Sequence, residues 1–231
     1  MHLEPEKEIK KREKALRRRM KKEGRRIKTM PLMSRISPYI MKTRGDASNF
    51  FADTLDIEPA EKYIRRKRVE GLKGFGMLDL FIASYVRALA EYPALNRFIR
   101  GQRVYSRNNI EIVLTIKKEL SVSAPDTVVK LIFPPDATAE TGHRIVHDEI
   151  TRSRADDSDF DDTVHFLNYI PGLLLKFTVW LLNLLDYFGL VPRFLTKVSP
   201  FHGSFVLTSM GSLGIPPIYH HLYNFGNIPV F

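Results

Sequence analysis

Residues 201–231, FHGSFVLTSMGSLGIPPIYHHLYNFGNIPVF, decide the fold of this chain. The stretch begins with an apolar run at 204–209, whose alternation predicts a half-buried strand. A glycine-punctuated corner follows at 210–214, and a second apolar run at 227–231 predicts another strand. Such an order brings side chains to the rim of a sheet. The polar residues between the two runs are therefore the first candidates for chemistry.

Six polar side chains are concentrated there: Thr208, Ser209, Ser212, Tyr219, His220 and His221. A histidine beside a hydroxyl can act as a general base for a thiol or an alcohol. We therefore predict His220, His221, Tyr219 and Ser209 as catalytic candidates. The alternative is that these side chains line a strand–turn corner and form local hydrogen bonds. The sequence identifies no cofactor-binding residue.

The composition limits the kind of protein. The chain has 231 residues, 44% of them hydrophobic, which is enough for one sizeable core. It contains no cysteine, which excludes disulfides, thiolate catalysis and cysteine-ligated zinc. The charged residues close behind Met1 do not fit an ordinary signal peptide, and we expect a cytoplasmic protein.

The positive charge is concentrated at the N-terminus. Residues 1–29 hold 13 Lys or Arg and 5 Glu, a net charge of +8 out of the +10 of the whole chain. Residues 7–28 could contact anionic lipid or nucleic acid, although they lack the aromatic side chains on which bases stack. A solvated basic helix or tail is the alternative.

Strand patterns and helix patterns alternate along the chain without a repeat. This predicts an α/β (α+β) two-layer sandwich with a mixed sheet. In it, strands 103–106 and 110–116 are joined by a turn. The predicted strands are 50–57, 103–106, 110–116 and 127–133, the predicted helices are 6–28, 60–70, 77–92 and 136–154 (capped by Asp136), and 31–38 and 71–76 are predicted to be irregular.

Residues 164–191 are the most hydrophobic segment. Lys176, Asn183 and Asp186 interrupt it and fall near one helical face, so no uninterrupted apolar run of about 18 residues exists. The pattern predicts an amphipathic helix with a wide apolar face, suited to the core or to a subunit contact. Membrane association is the alternative.

Two acidic or histidine-containing patterns resemble metal sites, and we predict that neither binds a metal. His143 and His147 stand four residues apart on a helix, as metal ligands can, but no third ligand is evident and a solvated helix face is favoured. The acidic stretch 156–162 lacks the glycine and the distal glutamate of a calcium loop.

Two separated blocks resemble the catalytic domain of the dihydrolipoyl acyltransferases of 2-oxoacid dehydrogenase complexes, which shares the fold of chloramphenicol acetyltransferase. The first block is the helix at 77–91, YPALN at 92–96 and the strand at 110–116. The second is GSFVLTSMG at 203–211 followed by LGI at 213–215. The blocks stand in the family's order, so the resemblance spans about 48–231. It implies a short stand-alone member with a basic arm and lead-in at 1–47.

The resemblance also implies a function and an assembly. The family forms trimers with active sites between subunits. A histidine takes the proton of a coenzyme A or dihydrolipoyl thiol, the thiolate attacks an acyl thioester, and a hydroxyl of the neighbouring subunit stabilises the oxyanion. We therefore expect a homotrimer that uses coenzyme A or acyl-coenzyme A as substrate and needs no metal.

This sequence departs from the family in two places. No H-x-x-x-D-G motif, which carries the family's catalytic histidine, occurs in the 231 residues, and we expect the C-terminal part of the domain to be missing. Where the family has a serine or threonine hydroxyl, this chain has Pro216, Pro217, Ile218 and Tyr219. Whether the domain is an enzyme therefore stays open. The alternative is a non-catalytic oligomerising module whose basic arm contacts membrane or nucleic acid.

Overall fold

Six α-helices and six β-strands form in the residues that the computed structural model describes, which are 23–41, 43–117, 126–155, 171–208 and 222–229. The strands are β1 (Gly24–Arg26), β2 (Arg97–Arg100), β3 (Arg103–Arg107), β4 (Ile110–Lys117), β5 (Asp126–Phe133) and β6 (Phe205–Leu207). The helices are α1 (Leu32–Ile40), α2 (Glu58–Val69), α3 (Met77–Glu91), α4 (Ala139–Ala155), α5 (Gly172–Phe188) and α6 (Arg193–Val198).

The strands form two three-stranded sheets. In the first, of order β1-β3-β2, all neighbours are antiparallel. In the second, of order β5-β4-β6, β4 is antiparallel to β5 and parallel to β6, with Ile112 opposite Phe205. The predicted combination of helices with a mixed sheet is therefore confirmed as an α+β fold.

The core lies between the second sheet and the helices α3 and α4. Residues of a strand alternate between the two faces of a sheet, so Ile110, Ile112 and Leu114 of β4 point to the same side. There they are buried with Ile82, Val86 and Leu89 of α3, Val129, Leu131 and Phe133 of β5, Val146 of α4 and Phe205 of β6. Burial of each such side chain contributes about 1.5–3 kcal/mol. The opposite face of the sheet carries Glu111 and Lys130 and meets α6.

The strands at β3 and β4 were predicted to be joined by a turn, but they do not form a hairpin. They belong to different sheets, and residues 108–109 carry the chain from one to the other. The hairpin is formed by β2 and β3 around Gly101 and Gln102, both with positive φ. Strand β2 was not predicted, because its RFIR sequence is short and has a charge at each end.

The structure of residues 24–57 also differs from the prediction. Gly24–Arg26 is a strand and not part of a helix, because it pairs with β3 so closely that a Cβ on Gly24 would lie 2.5 Å from the Ser106 carbonyl oxygen. Residues 31–38 were expected to be irregular, but 32–40 form α1 despite Pro38. Residues 50–57, expected to be a strand, form neither a strand nor a helix.

Local capping explains two helix boundaries. The cap of α4 is Thr138 and not Asp136, because Thr138 Oγ1 accepts a hydrogen bond from the Thr141 backbone N–H at 3.2 Å. At the start of α3, Asp79 accepts the Gly76 backbone N–H at 2.8 Å. The loop 71–76 was predicted correctly, and its Gly71 and Gly74 adopt positive φ.

The apolar helix was predicted correctly, with the core or a subunit contact as its expected position; the described residues do not bury it in the core, and the subunit contact stays a prediction. Helix α5 ends at Gly189, which has φ of 70° and terminates the helix in the left-handed conformation that glycine favours. None of its residues is buried. No helix in the described part of the chain combines the length and the apolar content needed to cross a membrane.

Candidate functional site

Charged and polar side chains from distant parts of the sequence meet where the first sheet, α5 and the C-terminal segment come together. Glu23, Arg107, His202 and Asn227 are buried, and Arg100 and Asp186 are half-buried. We call this group the charge cluster; it consists of Glu23, Arg100, Arg107, Asp186, His202 and Asn227.

Glu23 is at the centre of the charge cluster. Arg107 donates from Nη1 to Glu23 Oε1 at 2.7 Å, and the Nη2 atom of Arg100 donates to Glu23 Oε2. Asn227 bridges Arg107 and Glu23, because its Oδ1 accepts a hydrogen bond from Arg107 at 2.7 Å and its Nδ2 donates one to Glu23 at 3.1 Å. Arg100 also donates to Asp186 Oδ1 at 3.1 Å. Two guanidinium groups thus face two carboxylates.

The electrostatics of the cluster favour the ionised form of Glu23. Burial by itself raises the pKa of the Glu23 carboxyl, because it removes water from the carboxylate. Arg107 and Arg100 outweigh this effect, and with His202 and the Asn227 hydrogen bond they lower the pKa to about 2. Glu23 is therefore a structural anion that links the two arginines.

His202 is the most deeply buried member, with 1% of its surface exposed. Its Nδ1 lies 2.9 Å from Ser199 Oγ, and its Nε2 has no hydrogen-bond partner among the described residues. The carboxylate oxygen Asp186 Oδ1 lies 3.5 Å from Nε2. Ser199, His202 and Asp186 thus stand in the order of a nucleophile, a base and an orienting carboxylate.

This arrangement does not meet the requirements of nucleophilic catalysis. Asp186 lies beyond hydrogen-bond distance of His202 and is already paired with Arg100. Ser199 Oγ accepts the backbone N–H of Phe201, as in a local turn. The group therefore fixes the turn that precedes β6.

A chain of polar contacts anchors the start of β6 beside β4. The Ser204 hydroxyl donates to Asn96 Oδ1 at 2.8 Å and accepts the Glu111 backbone N–H at 2.9 Å. Asn96 in turn donates to the Asn109 carbonyl oxygen at 2.9 Å. These contacts place β6 so that the segment after Leu207 leaves from the edge of the second sheet.

Lys130 lies on the polar face of this sheet and donates to the Thr196 carbonyl oxygen at 2.6 Å. Burial lowers the pKa of its ammonium group to about 8, and Glu111 and Glu23 only partly oppose this effect.

This shift predicts a dependence of stability on alkaline pH. The unfolded chain holds the Lys130 proton up to about pH 10.5, whereas the folded chain releases it near pH 8, so this residue makes the fold more stable as pH rises between these values. Lys130→Met should therefore flatten the pH dependence of the unfolding free energy over this window, measured by urea denaturation. Lys62→Met, at an exposed lysine of α2, is the control. Equal slopes in wild type and Lys130→Met would contradict the assignment.

A second buried histidine lies on the other side of the sheet. His143 is buried, so the expected solvated helix face is wrong for this residue, while His147 is exposed as expected. The His143 ring nitrogens lie 3.1 Å from Asp79 Oδ1 and 3.1 Å from the Lys73 carbonyl oxygen. His143 therefore fixes the loop 71–76 against α4. Nowhere in the described ranges do three or more His, Cys, Asp or Glu side chains form a group that could hold a metal ion.

The four catalytic candidates from the sequence, Ser209, Tyr219, His220 and His221, lie outside the described residues, as does the acidic stretch 156–162. Their roles stay predictions. The flanking backbone is fixed beside β6, because the Val206 N–H donates to the Pro229 carbonyl oxygen at 2.9 Å. The chain thus leaves β6 at Leu207 and returns next to it.

The charge cluster was not predicted from the sequence. Glu23 was counted with the basic arm, and Arg107 was assigned to the turn between the predicted strands 103–106 and 110–116. Isolated polar residues next to apolar strand residues, such as Asn227 before an apolar run, are the only available signal, and this signal does not identify the partners.

Comparison with known proteins gives little further information. No protein-family model and no curated protein matches the chain. Among solved structures it is similar to a probable dihydrolipoamide acetyltransferase from Listeria monocytogenes 4b F2365, at 15% sequence identity and a TM-score of 0.39, over 78% of this chain and 71% of that one. A likeness at this level carries no argument about activity, and the α+β fold rests on the elements described above.

Proposed function

We propose that this chain is an acyltransferase-like domain that transfers an acyl group between a thioester and the thiol of coenzyme A or a lipoyl-like group. The observation that supports the proposal is the meeting in space of the two sequence blocks that resemble dihydrolipoyl acyltransferases. Strand β6, from the second block, lies parallel to β4, from the first. Helix α3, also from the first block, covers the pair, with the Tyr85 and Phe205 rings 3.9 Å apart between centroids.

The reaction needs a base for the thiol and a donor for the oxyanion. In the proposed mechanism, His220 or His221 takes the thiol proton and the thiolate attacks the thioester carbonyl. Tyr219 or Ser209 donates a hydrogen bond to the oxyanion, which collapses and expels the other thiol as the proton is returned. The proposal includes a homotrimer, the family's assembly, and coenzyme A as substrate.

An acetyl-transfer assay tests this proposal. Wild type should transfer acetyl from acetyl-coenzyme A to dihydrolipoamide, and replacing the histidine that acts as base, in His220→Ala or His221→Ala, should lower the rate by about 10²–10⁴-fold. His147→Ala is the matched control, because it removes an exposed histidine of α4. Absence of transfer by wild type, or full activity of the double variant, would overturn the enzymatic proposal.

A non-catalytic oligomerising module is the second candidate. Residues 32–57 favour it, because the apolar side chains of α1 and of residues 50–57 are exposed. Phe51, for example, is 86% exposed. Three results together would support this candidate: wild type is inactive, it forms a stable oligomer in sedimentation velocity, and Phe51→Asp dissociates that oligomer. A monomer at all concentrations would exclude it.

A further inference from the structure

Helix α5 carries an apolar surface that the rest of the described chain leaves uncovered. Only Leu175, Thr178, Leu182, Leu185 and Asp186 are half-buried, and these form the inner row of the helix. We call the exposed outer side the apolar ridge; it consists of Leu173, Leu174, Phe177, Val179, Trp180, Leu181, Leu184, Tyr187 and Phe188, continued by Leu190 and Phe194. A helix that is apolar on nearly every side is normally buried, so a surface of this kind indicates an interaction site.

The C-terminal end of α5 is fixed on the β2–β3 hairpin. Asp186 accepts from Arg100, and the Tyr187 hydroxyl donates to Gln102 Oε1 at 3.0 Å. The Tyr187 carbonyl oxygen also approaches Gly101 so closely that a Cβ there would lie 2.4 Å away. The ridge is therefore held facing outward by specific contacts.

The charges around the ridge indicate the kind of partner. The only acidic residue in 171–198 is Asp186, which is half-buried and paired with Arg100. The basic residues of the same segment are Lys176, Arg193 and Lys197, and the two lysines are exposed. The charge that this segment exposes beside the ridge, on Lys176 and Lys197, is therefore positive. The N-terminal residues 1–29 add a net charge of +8 to the same chain.

We propose that the apolar ridge binds the surface of an anionic lipid bilayer, with α5 lying in the plane of the interface. A helix of 17 residues is about 26 Å long and can insert its apolar side chains at the boundary between headgroups and acyl chains while its lysines meet anionic headgroups. Trp180 and Tyr187 are of the side-chain types that are enriched at this depth.

The same charges disfavour a second copy of the chain as the occupant. In a two-fold contact each residue meets the same surface of its partner. Lys176 and Lys197 of one copy would then meet a surface of the other copy on which α5 and α6 expose no carboxylate. A lipid surface supplies the missing negative charge. This inference is independent of acyl transfer, because it uses none of the proposed catalytic residues.

Fluorescence tests the proposal directly, because Trp180 is the only tryptophan of the chain and is 56% exposed on the ridge. Without vesicles, its emission should be that of a hydrated indole at every protein concentration. Vesicles of phosphatidylcholine and phosphatidylserine at roughly 3:1 should shift the emission to the blue, brominated acyl chains should quench it, and pure phosphatidylcholine should give a much weaker response.

Matched substitutions test whether vesicle binding depends on the ridge or on any exposed apolar side chain. Phe177→Asp should weaken vesicle binding in co-sedimentation by at least about tenfold. Val69→Asp, at an 89% exposed apolar residue of α2, should leave it unchanged. The double variant Lys176→Gln and Lys197→Gln should weaken binding by roughly tenfold or more, with Lys62→Gln as its control. Removal of residues 1–22 should weaken binding further and keep the blue shift.

Two results would overturn the proposal. The first is a failure of the lipid contact itself: either the Trp180 emission does not change with anionic vesicles, or Phe177→Asp binds the vesicles as well as wild type does. The second is a blue-shifted emission that depends on protein concentration without vesicles, together with dissociation of an oligomer by Phe177→Asp, which would show that a second copy covers the ridge. Thermal unfolding of each variant checks that the fold is retained.

Discussion

Replacing Glu23 by glutamine should lower the free energy of unfolding by about 3–5 kcal/mol, the usual effect of removing one partner from a buried ion pair. The carboxylate binds Arg107 and Arg100 at once and accepts from Asn227. Glutamine keeps the size of the side chain but removes its charge, so both arginines lose an anionic partner away from bulk water. Urea denaturation at neutral pH measures the effect.

The low pKa of Glu23 sets the pH range of this stabilisation. The unfolded carboxyl has a pKa of 4.5 and the folded one a pKa of about 2, so the stabilisation is complete above 4.5 and is lost as pH falls through this range toward 2. Glu23→Gln should therefore lose part of the acid sensitivity of wild type. The difference in unfolding free energy between the two proteins should narrow between pH 4.5 and 2.

Glu58→Gln is the control for this prediction. Glu58 pairs with Lys62 at 2.7 Å on the exposed surface of α2, where such pairs contribute about 0–1 kcal/mol. An effect of Glu23→Gln no larger than that of Glu58→Gln would contradict the structural role of the charge cluster. Truncation provides a second comparison, since removal of 1–22 keeps Glu23 and β1, whereas removal of 1–26 deletes both.

Replacing Phe205 by alanine should destabilise the fold by about 3–5 kcal/mol. The side chain is fully buried and packs between β4 and α3, with the Tyr85 ring centroid 3.9 Å and the Phe81 ring centroid 6.5 Å away. The substitution removes the ring and leaves a cavity at the position where the two resembling sequence blocks meet. Since β6 has only three residues, its pairing with β4 depends strongly on this contact.

Phe51→Ala is the matched control, because the same substitution at an 86% exposed side chain should change stability by less than about 0.5 kcal/mol. Both variants are compared by urea denaturation, with hydrogen exchange of β4 amides as a local measurement. Phe205→Ala should accelerate exchange in β4, where Ile112 lies opposite it. A loss of stability equal to that of Phe51→Ala would show that β6 is not part of the core.

The sequence predicted the parts of the fold in which local pattern and tertiary packing agree. The alternation in β4 and β5 and the apolar face of α3 each indicate both an element and the side it buries. The sequence failed where long-range contacts override local preference. Residues 24–26 have helix-forming neighbours but pair with β3, and 50–57 have strand-forming residues but no described strand to pair with.

The charge cluster could not be predicted for the same reason. Glu23, Arg107 and Asn227 are each unremarkable in their local sequence, and their joint role depends on three separate elements arriving at one place. His143 illustrates the converse case. Its spacing from His147 suggested a metal ligand or a solvated face, but burial against Asp79 and the loop 71–76 gives it a structural role that no spacing rule describes.

The contact between Glu23 and Asn227 joins residues 204 positions apart, which has a consequence for folding on the ribosome. At about 5–20 residues per second, Glu23 is synthesised roughly 10–40 s before Asn227. During that interval the nascent chain can pair Glu23 with Arg107, but it has no amide to bridge them. Loop closure over this separation is slow compared with local helix formation. Final consolidation of the first sheet is therefore a late step, because it cannot precede the synthesis of Asn227.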